Sequence, residues 1–416
     1  SLSTAERVRF GSMLCFLFAS ILPALCANEL PEARMDTVQI IAYNGYPVQQ
    51  VKVTTEDGYV LTMHRIPYGR YESKEKLHSP GRPVVFLQHG LLATSADFVL
   101  NRPEQSLGFM LADAGFDVWM GNVRGNIYSR GHINLTIDDH AYWQFSWDEM
   151  VRYDLVSMVA KALNESGRPW LYYVGYSQGT MMMFAKLSER DPAFTPKIKK
   201  FFALAPVATV KSARGALTYI GRELLPEIEL LIRLIGEDQF LPSNIFSQFL
   251  ARVVCGHSFT NPLCANILFQ IVGPNTNQMN TTRLSVYLAH TPAGTSTQNI
   301  IHWAQMTKSG LTQMYEYPTE RENMQHYGQA TPPVYNVSQV NVPTRLFYSD
   351  DDWLADEQDI QTLLGTLPAD ILEKDSVKLD DFNHIDFIYG LRAAREIYAP
   401  IIKEMKEFER NVVRAR

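Results

Sequence analysis

The chain has few cysteines, no long basic run and, beyond its N-terminal segment, no long apolar stretch. Four cysteines in 416 residues exclude a small scaffold built on disulfides. The net charge is -6, from 38 basic and 44 acidic residues. With no basic run, nucleic-acid binding has no electrostatic support. Nothing after the N-terminal segment has the apolar length needed to cross a bilayer, about 20 successive residues. Internal repeats and low-complexity segments are missing too. What is present is an ordinary globular composition, 46% hydrophobic and 20% charged. The length suits one large domain carrying an insertion, or two domains.

The N-terminus reads as a processing signal. Arg7 and Arg9 precede the apolar run Met13 to Leu22, followed by Pro23 and the small residues Ala24, Cys26 and Ala27. A charged region, an apolar region and a small-residue exit make a secretory signal peptide, here residues 1–27. At roughly 15 apolar residues the run is short for a membrane span, so no permanent membrane anchor is expected. Removal of the signal takes Cys15 and Cys26 and leaves Cys255 and Cys264. In an exported protein such a close pair is expected to form a disulfide. Export also gives meaning to the Asn-x-Ser/Thr sites at Asn134, Asn164, Asn280 and Asn336, the acceptor pattern of a secreted or lysosomal glycoprotein.

Apolar periodicity sets the organisation. Val51 to Thr55 and Tyr59 to Met63 flank Glu56-Asp57-Gly58, a hairpin pattern. Pro83 to Leu87, Phe116 to Met120, Leu171 to Val174, Lys200 to Leu204 and Thr344 to Tyr348 are short apolar runs, the mark of strands buried on both faces. Helical spacing occupies Asp148 to Leu163 and Arg392 to Phe408. Strands alternating with helices predict an α/β fold with a mostly parallel sheet. The rhythm breaks from about Pro206 to Pro333, where Leu224 to Ile235, Ile245 to Val254 and Ala265 to Val272 are apolar and helical in pattern. The expected organisation is a core over residues 28–207 and 337–416, interrupted by a helical cap or lid over 208–336.

The chemistry centres on Gly175-Tyr176-Ser177-Gln178-Gly179, between the strand Leu171 to Val174 and a helical stretch from Thr180 to Leu187. A serine between glycines at a strand-to-helix turn is a nucleophile elbow. The turn is so tight that side chains two positions either side of the serine would meet neighbouring backbone. A serine hydroxyl needs a base, and in this architecture the partners follow as acid, then histidine. Of His257, His290, His302, His326 and His384, only His384 lies beyond the insertion, after Val377-Lys378-Leu379 and before the terminal helix. The acid belongs after the strand Thr344 to Tyr348, where Asp350, Asp351, Asp352 and Asp356 compete. Asp356 also fits a helix cap. Two backbone N–H groups should hold an oxyanion, those of Gln178 and of Leu91 in Gln88-His89-Gly90-Leu91-Leu92. His89 precedes the serine and is read as structural. No metal or organic cofactor is required, since the side chains supply both nucleophile and base.

These stretches resemble the animal acid lipases, the gastric and lysosomal family. So do Trp119-Met120-Gly121-Asn122, Arg124-Gly125-Asn126, Phe145 to Met150, Ala203 to Ala208, Pro292 to Ser296, Leu354-Ala355-Asp356 and Asn383 to Phe387. The resemblance implies an α/β-hydrolase core with a helical cap, a lipid ester substrate (acylglycerol or sterol ester) and transient contact with a lipid interface. By position it implies Ser177 as nucleophile, Asp352 as acid, His384 as base, Leu91 and Gln178 as oxyanion donors, and a Cys255–Cys264 bridge. Three positions depart from the family. Tyr176 stands where histidine is usual, Val272 where a further cysteine is often kept, and Ser349-Asp350-Asp351 where glycines and a neutral polar residue are usual. Extra carboxylates favour the charged form of a neighbouring imidazole, so this turn predicts activity displaced toward less acidic pH. The rival classes are a storage or adhesion protein on the same fold, which would typically lack part of the triad, and an esterase for small soluble esters.

Overall fold

The computed structural model describes residues 30–72, 81–215, 218, 238–240, 269–372 and 376–414. The signal segment, Cys255, Cys264 and the expected helices Leu224 to Ile235 and Ile245 to Val254 lie outside the described residues.

Eleven strands are described: β1 Gln49–Thr54, β2 Tyr59–Ile66, β3 Val84–Gln88, β4 Asp117–Met120, β5 Gly131–His132, β6 Leu171–Tyr176, β7 Ile198–Leu204, β8 Gln239–Phe240, β9 Thr295–Ser296, β10 Thr344–Ser349 and β11 Val377–Leu379. The main sheet runs β1-β2-β4-β3-β6-β7-β10-β11, with β5 on β2. From β4 to β11 every pairing is parallel. The hairpin β1–β2 supplies an antiparallel end, and β2 joins β4 antiparallel. All residues of β3, β4 and β6 are buried. Their side chains therefore face helices on both sides, which is why their sequences are continuous apolar runs rather than alternating ones.

The strand order places the site. From β3 the chain goes to β4 on one side, while β6 lies on the other and leads on to β7. Where order reverses, the loops at the carboxyl ends of the two central strands diverge and leave a crevice. Gln88, at the end of β3, is in register with Gly175 of β6. The loop after β3 and the elbow after β6 therefore open side by side. Between β7 and β10 the described residues include the helices Leu284–His290, Thr297–Ser309 and Glu320–Tyr327, and the short pair β8–β9.

The helix expected from Asp148 to Leu163 spans Trp147–Glu149 as α, Met150–Leu155 as π and Val156–Ser166 as α. A capping box starts it: Ser146 Oγ accepts from the Asp148 N–H, and the Glu149 carboxylate accepts from the Ser146 N–H at 2.7 Å. The C-terminal helix likewise opens with a π turn, Ala394–Tyr398, before Ala399–Arg414.

Two buried ionisable clusters brace the core around the site. Arg124, 1% exposed, donates to Asp57 at 2.6 Å and to Asp154 at 2.7 Å and lies over the Tyr59 ring at 3.9 Å. It ties the hairpin turn to the helix Val156–Ser166 through the π segment that carries Asp154. Asp97 is buried with no cation beside it among the described residues, accepting from the Tyr389 hydroxyl at 2.8 Å. Burial pushes its carboxyl up to about 7, against a smaller opposing effect of that hydrogen bond.

Arg124→Met should lower unfolding free energy by about 3–5 kcal/mol at pH 7, because it strands the buried Asp154 carboxylate; urea unfolding checks it. The Asp97 carboxyl is raised in the folded protein, so the native state binds that proton more tightly than the unfolded chain. Its contribution to stability is full below the unfolded value near 4 and is lost as pH rises through about 7. The buried His64, His89 and His302, pushed down to about 4, about 4 and about 3, act oppositely, and an Asp97→Asn variant keeps all three. Relative to Asp97→Asn, wild type should therefore lose stability as pH rises from about 4 through about 7, read as the difference between their thermal midpoints against pH.

Candidate active site

Ser177 sits at φ 52° and ψ -119°, a region that costs a non-glycine residue about 1–3 kcal/mol. The surrounding glycines explain why the chain can turn there. A Cβ on Gly175 would lie 2.8 Å from the carbonyl carbon and oxygen of Gly179. A Cβ on Gly179 would lie 2.4 Å from the Gln88 carbonyl oxygen. Both are contacts with backbone that cannot yield. The turn is pinned by Ser177 N–H donating to the Leu204 carbonyl at 3.1 Å and Thr180 Oγ1 donating to the Ser177 carbonyl at 2.6 Å.

His384 and Asp352 reach this point from loops after β11 and β10. His384 Nε2 lies 2.8 Å from Ser177 Oγ, and Nδ1 lies 2.9 and 3.0 Å from the two carboxylate oxygens of Asp352. A carboxylate only accepts, so the ring proton is on Nδ1 and the Nε2 lone pair faces the hydroxyl. Asp352 is fully buried, and its Oδ1 also accepts from the N–H groups of Leu354 and Ala355 at 2.9 and 2.8 Å. These backbone donors single it out from the competing aspartates. Asp356 accepts from the Gln358 N–H at 2.9 Å, the cap that its sequence context indicated. Asp350 is half exposed and holds Lys378 at 2.8 Å. One of the two extra carboxylates behind the pH expectation is therefore matched by a cation. Asp351 is only partly buried; that burial, then Asp381 and Asp350, raise its carboxyl.

The other histidines that follow the serine within the described residues stand elsewhere. His302 stacks on Trp147 at 4.5 Å, His290 bonds the Glu32 carbonyl oxygen, and His326 stacks on Tyr317. His257 lies outside the described residues.

The donor loop after β3 approaches the elbow because Gly90 has no side chain. A Cβ there would meet Ser177 Cβ at 3.0 Å and the Tyr176 ring at 3.3 Å. His89 is buried and orients the loop. Its Nε2 accepts from the Val123 N–H at 3.3 Å, so its Nδ1 carries the proton and donates to the Gly90 carbonyl at 2.7 Å. In a trans peptide the C=O and N–H point in opposite directions. Anchoring the Gly90 carbonyl on His89 thus turns the Leu91 N–H the other way. Among the described residues neither the Leu91 N–H nor the Gln178 N–H donates to any acceptor. Burial holds the His89 imidazole down at about 4, which keeps this tautomer neutral through the mildly acidic range.

Three contacts were not foreseen from the sequence. The Tyr176 hydroxyl donates to the His384 carbonyl at 3.1 Å, and its ring lies 5.3 Å from the imidazole. Thus the residue that departs from the family pattern touches the histidine loop directly. The backbone of Val272, a second departure, accepts from the His384 N–H at 3.2 Å. The Gln178 side chain is bound by Asn299 and Trp303 of the insertion. Only the G-x-S-x-G neighbourhood of Tyr176 carried a signal for the first. The others are long-range meetings with no local pattern.

Among the described residues no group of three or more His, Cys, Asp or Glu is arranged to hold a metal. Of the sequon asparagines, Asn134, Asn164 and Asn336 are exposed. Asn280 is half-buried, its Oδ1 accepting from the Thr282 N–H and hydroxyl.

Comparison with known proteins agrees with this geometry. A family model described as a partial alpha/beta-hydrolase lipase region matches residues 37–102, and one described as alpha/beta hydrolase fold matches residues 83–391. The chain is 48% identical to lipase lipl-1 of Caenorhabditis elegans, over 89% of this chain and 91% of that protein. It is 44% identical to human gastric triacylglycerol lipase, over 91% and 92%. A putative lysosomal acid lipase/cholesteryl ester hydrolase of Crotalus adamanteus is also 44% identical, over 91% and 92%. Among solved structures, a putative lipase from Sulfolobus solfataricus superposes with a TM-score of 0.53 at 14% identity, covering 87% of this chain and 99% of that one. At that identity the likeness speaks for the fold alone. The chain belongs to the animal acid-lipase family of α/β hydrolases.

Proposed function

We propose that this protein hydrolyses the ester bonds of lipids through Ser177, His384 and Asp352. The observation that carries the proposal is the unbroken series from the Ser177 hydroxyl to His384 Nε2 at 2.8 Å and from His384 Nδ1 to Asp352 at 2.9 Å. Ser177 Oγ attacks the ester carbonyl carbon while His384 Nε2 takes its proton. The carbonyl oxygen becomes an oxyanion, received by the N–H groups of Leu91 and Gln178. Collapse breaks the bond to the alcohol, which leaves with the proton from His384 and leaves an acyl-enzyme. Water, deprotonated by His384, repeats the sequence and releases the fatty acid. Asp352 holds the tautomer and stabilises the imidazolium in both halves.

The named activities of the relatives, triacylglycerol lipase and acid lipase/cholesteryl ester hydrolase, support acylglycerols or sterol esters as substrate. Residues 208–336 act as a cap. The exposed Leu311, Met324 and Val334 within them support transient contact with a lipid interface. Among the described residues no helix is long and apolar enough to cross a membrane. Secretion or lysosomal delivery, a Cys255–Cys264 bridge, and glycan attachment at Asn134, Asn164, Asn280 and Asn336 complete the proposal. They rest on the sequence signals alone.

Hydrolysis of an emulsified triglyceride and of a cholesteryl ester tests the assignment, alongside labelling by a fluorophosphonate. Ser177→Ala should abolish labelling and lower kcat by a factor on the order of 10⁵ to 10⁶. Asp352→Asn should lower kcat by about 10⁴ through the wrong tautomer. An active Ser177→Ala would remove the catalytic assignment. His89→Phe keeps the ring bulk but frees the Gly90 carbonyl. Because it misaims a donor rather than deleting it, the loss in kcat should be about tenfold, below the 10²–10³ of full donor removal.

A further inference from the structure

Gln178 contributes its main chain to the oxyanion hole, yet its side chain is held mainly by another part of the molecule. The carboxamide is buried. Its Oε1 accepts from the Trp303 indole N–H at 2.8 Å and from Asn299 Nδ2 at 3.2 Å. On its other side, among the described residues, Nε2 reaches Met150 Sδ at 3.4 Å, and a thioether is a weak acceptor. Asn299 and Trp303 are four residues apart on the helix Thr297–Ser309, so they share a face. That helix belongs to the segment inserted between β7 and β10.

We propose that Asn299 and Trp303 are positioning residues for the oxyanion hole, acting through the Gln178 side chain, so that the inserted segment governs the hydrolytic step as well as access to it. Three observations carry this. Gln178 is the first residue of its helix, directly after a strained serine, so its N–H direction is not fixed by an intrahelical hydrogen bond. Asn299 is itself clamped: its N–H donates to Ser296 Oγ at 3.0 Å, and its Nδ2 reaches Thr295 Oγ1 at 3.1 Å. It therefore sets the position of Gln178 rather than following it. Thirdly, Asn299 Oδ1 is buried and meets no donor among the described residues, so the Nδ2 contacts to Gln178 and Thr295 orient the amide. Below Gln178, the π turn Met150–Leu155 puts the Met150 sulfur where the amide meets it, a local distortion of a kind often found at functional sites.

The inference rests on the catalytic assignment of Ser177 and the Gln178 N–H, and the test separates the two. A soluble short-chain ester removes lipid-surface binding from the measurement. Trp303→Phe keeps the ring and deletes the donor. It should lower kcat about tenfold, less than deletion of an oxyanion donor, with KM changed less than about twofold, the split expected when only transition-state binding is lost. Asn299→Ala should act in the same direction more weakly. Gln178→Met should resemble Trp303→Phe, and the double variant Trp303→Phe/Gln178→Met should be no slower than Gln178→Met alone, since both sever one link. Thermal midpoints are measured on each variant. If Trp303→Phe does not fold, Asn299→Ala and its double with Gln178→Met carry the test. Unchanged kcat in both single variants overturns the inference, as do losses that add in the double variant or that follow the folded fraction. Run in parallel, Ser177→Ala must be inactive. If it hydrolyses the ester, the catalytic assignment falls and the inference with it. If it is inactive while Trp303→Phe and Asn299→Ala match wild type, the inference alone falls.

Discussion

The structure depends on one close approach of backbone to backbone, at the turn after β6. Gly179 lies so near the Gln88 carbonyl that no side chain fits between them, and this contact joins the elbow to the end of β3. Everything chemical hangs from that junction. It lifts Ser177 off the sheet in a conformation costing about 1–3 kcal/mol. It also brings the β3 loop, with Leu91, alongside. The strain is offset locally. Thr180 Oγ1 bonds the Ser177 carbonyl and in turn accepts from the Val207 N–H at 2.8 Å, so a single threonine links the elbow to the strand exit after β7.

The triad and the oxyanion donors are secured by different means. Asp352 is fixed by the N–H groups of its own turn. The His384 loop is held by backbone contacts, its N–H on Val272 and its carbonyl on the Tyr176 hydroxyl. Tyr176 is thus a tether on the catalytic loop. Of the two oxyanion donors, the Leu91 N–H is aimed by a buried histidine of its own loop, while Gln178 leans on the inserted helix. The core alone accounts for nucleophile, base, acid and one donor. At the second donor position, the Gln178 side chain is bound by a helix of the inserted segment.

Much of this was legible in the sequence, and the reason is physical. Strands buried on both faces read as apolar runs, so the ends of β3, β4, β6, β7 and β10 could be placed to within two residues. The elbow was legible because backbone clashes dictate glycine at both flanks. His384 followed from chain order once the insertion had claimed the other candidates. The acid was not legible from residue types, since Asp350, Asp351, Asp352 and Asp356 are chemically equal on paper. What separates them is which carboxylate receives two backbone N–H groups and which meets Lys378 or caps a helix. The π turns at Met150–Leu155 and Ala394–Tyr398 left no mark either, because a single extra residue within a helical period does not disturb its apolar pattern enough to be read.

The same distinction explains why the role of the inserted helix was invisible while its presence was not. A cap is announced by composition, by apolar residues at helical spacing where the α/β rhythm stops. A contact such as Trp303 to Gln178 spans 125 residues and involves two side chains with ordinary structural roles elsewhere in proteins. Nothing local distinguishes them. Their meaning comes from what lies on the same residue, a main-chain N–H with no acceptor among the described residues, next to a serine that has a partner. Long-range polar contacts onto the first residue after a nucleophile therefore say more about how a hydrolase is controlled than the motif that reveals the nucleophile. The motif fixes where charge will develop, and those contacts fix how well it is received.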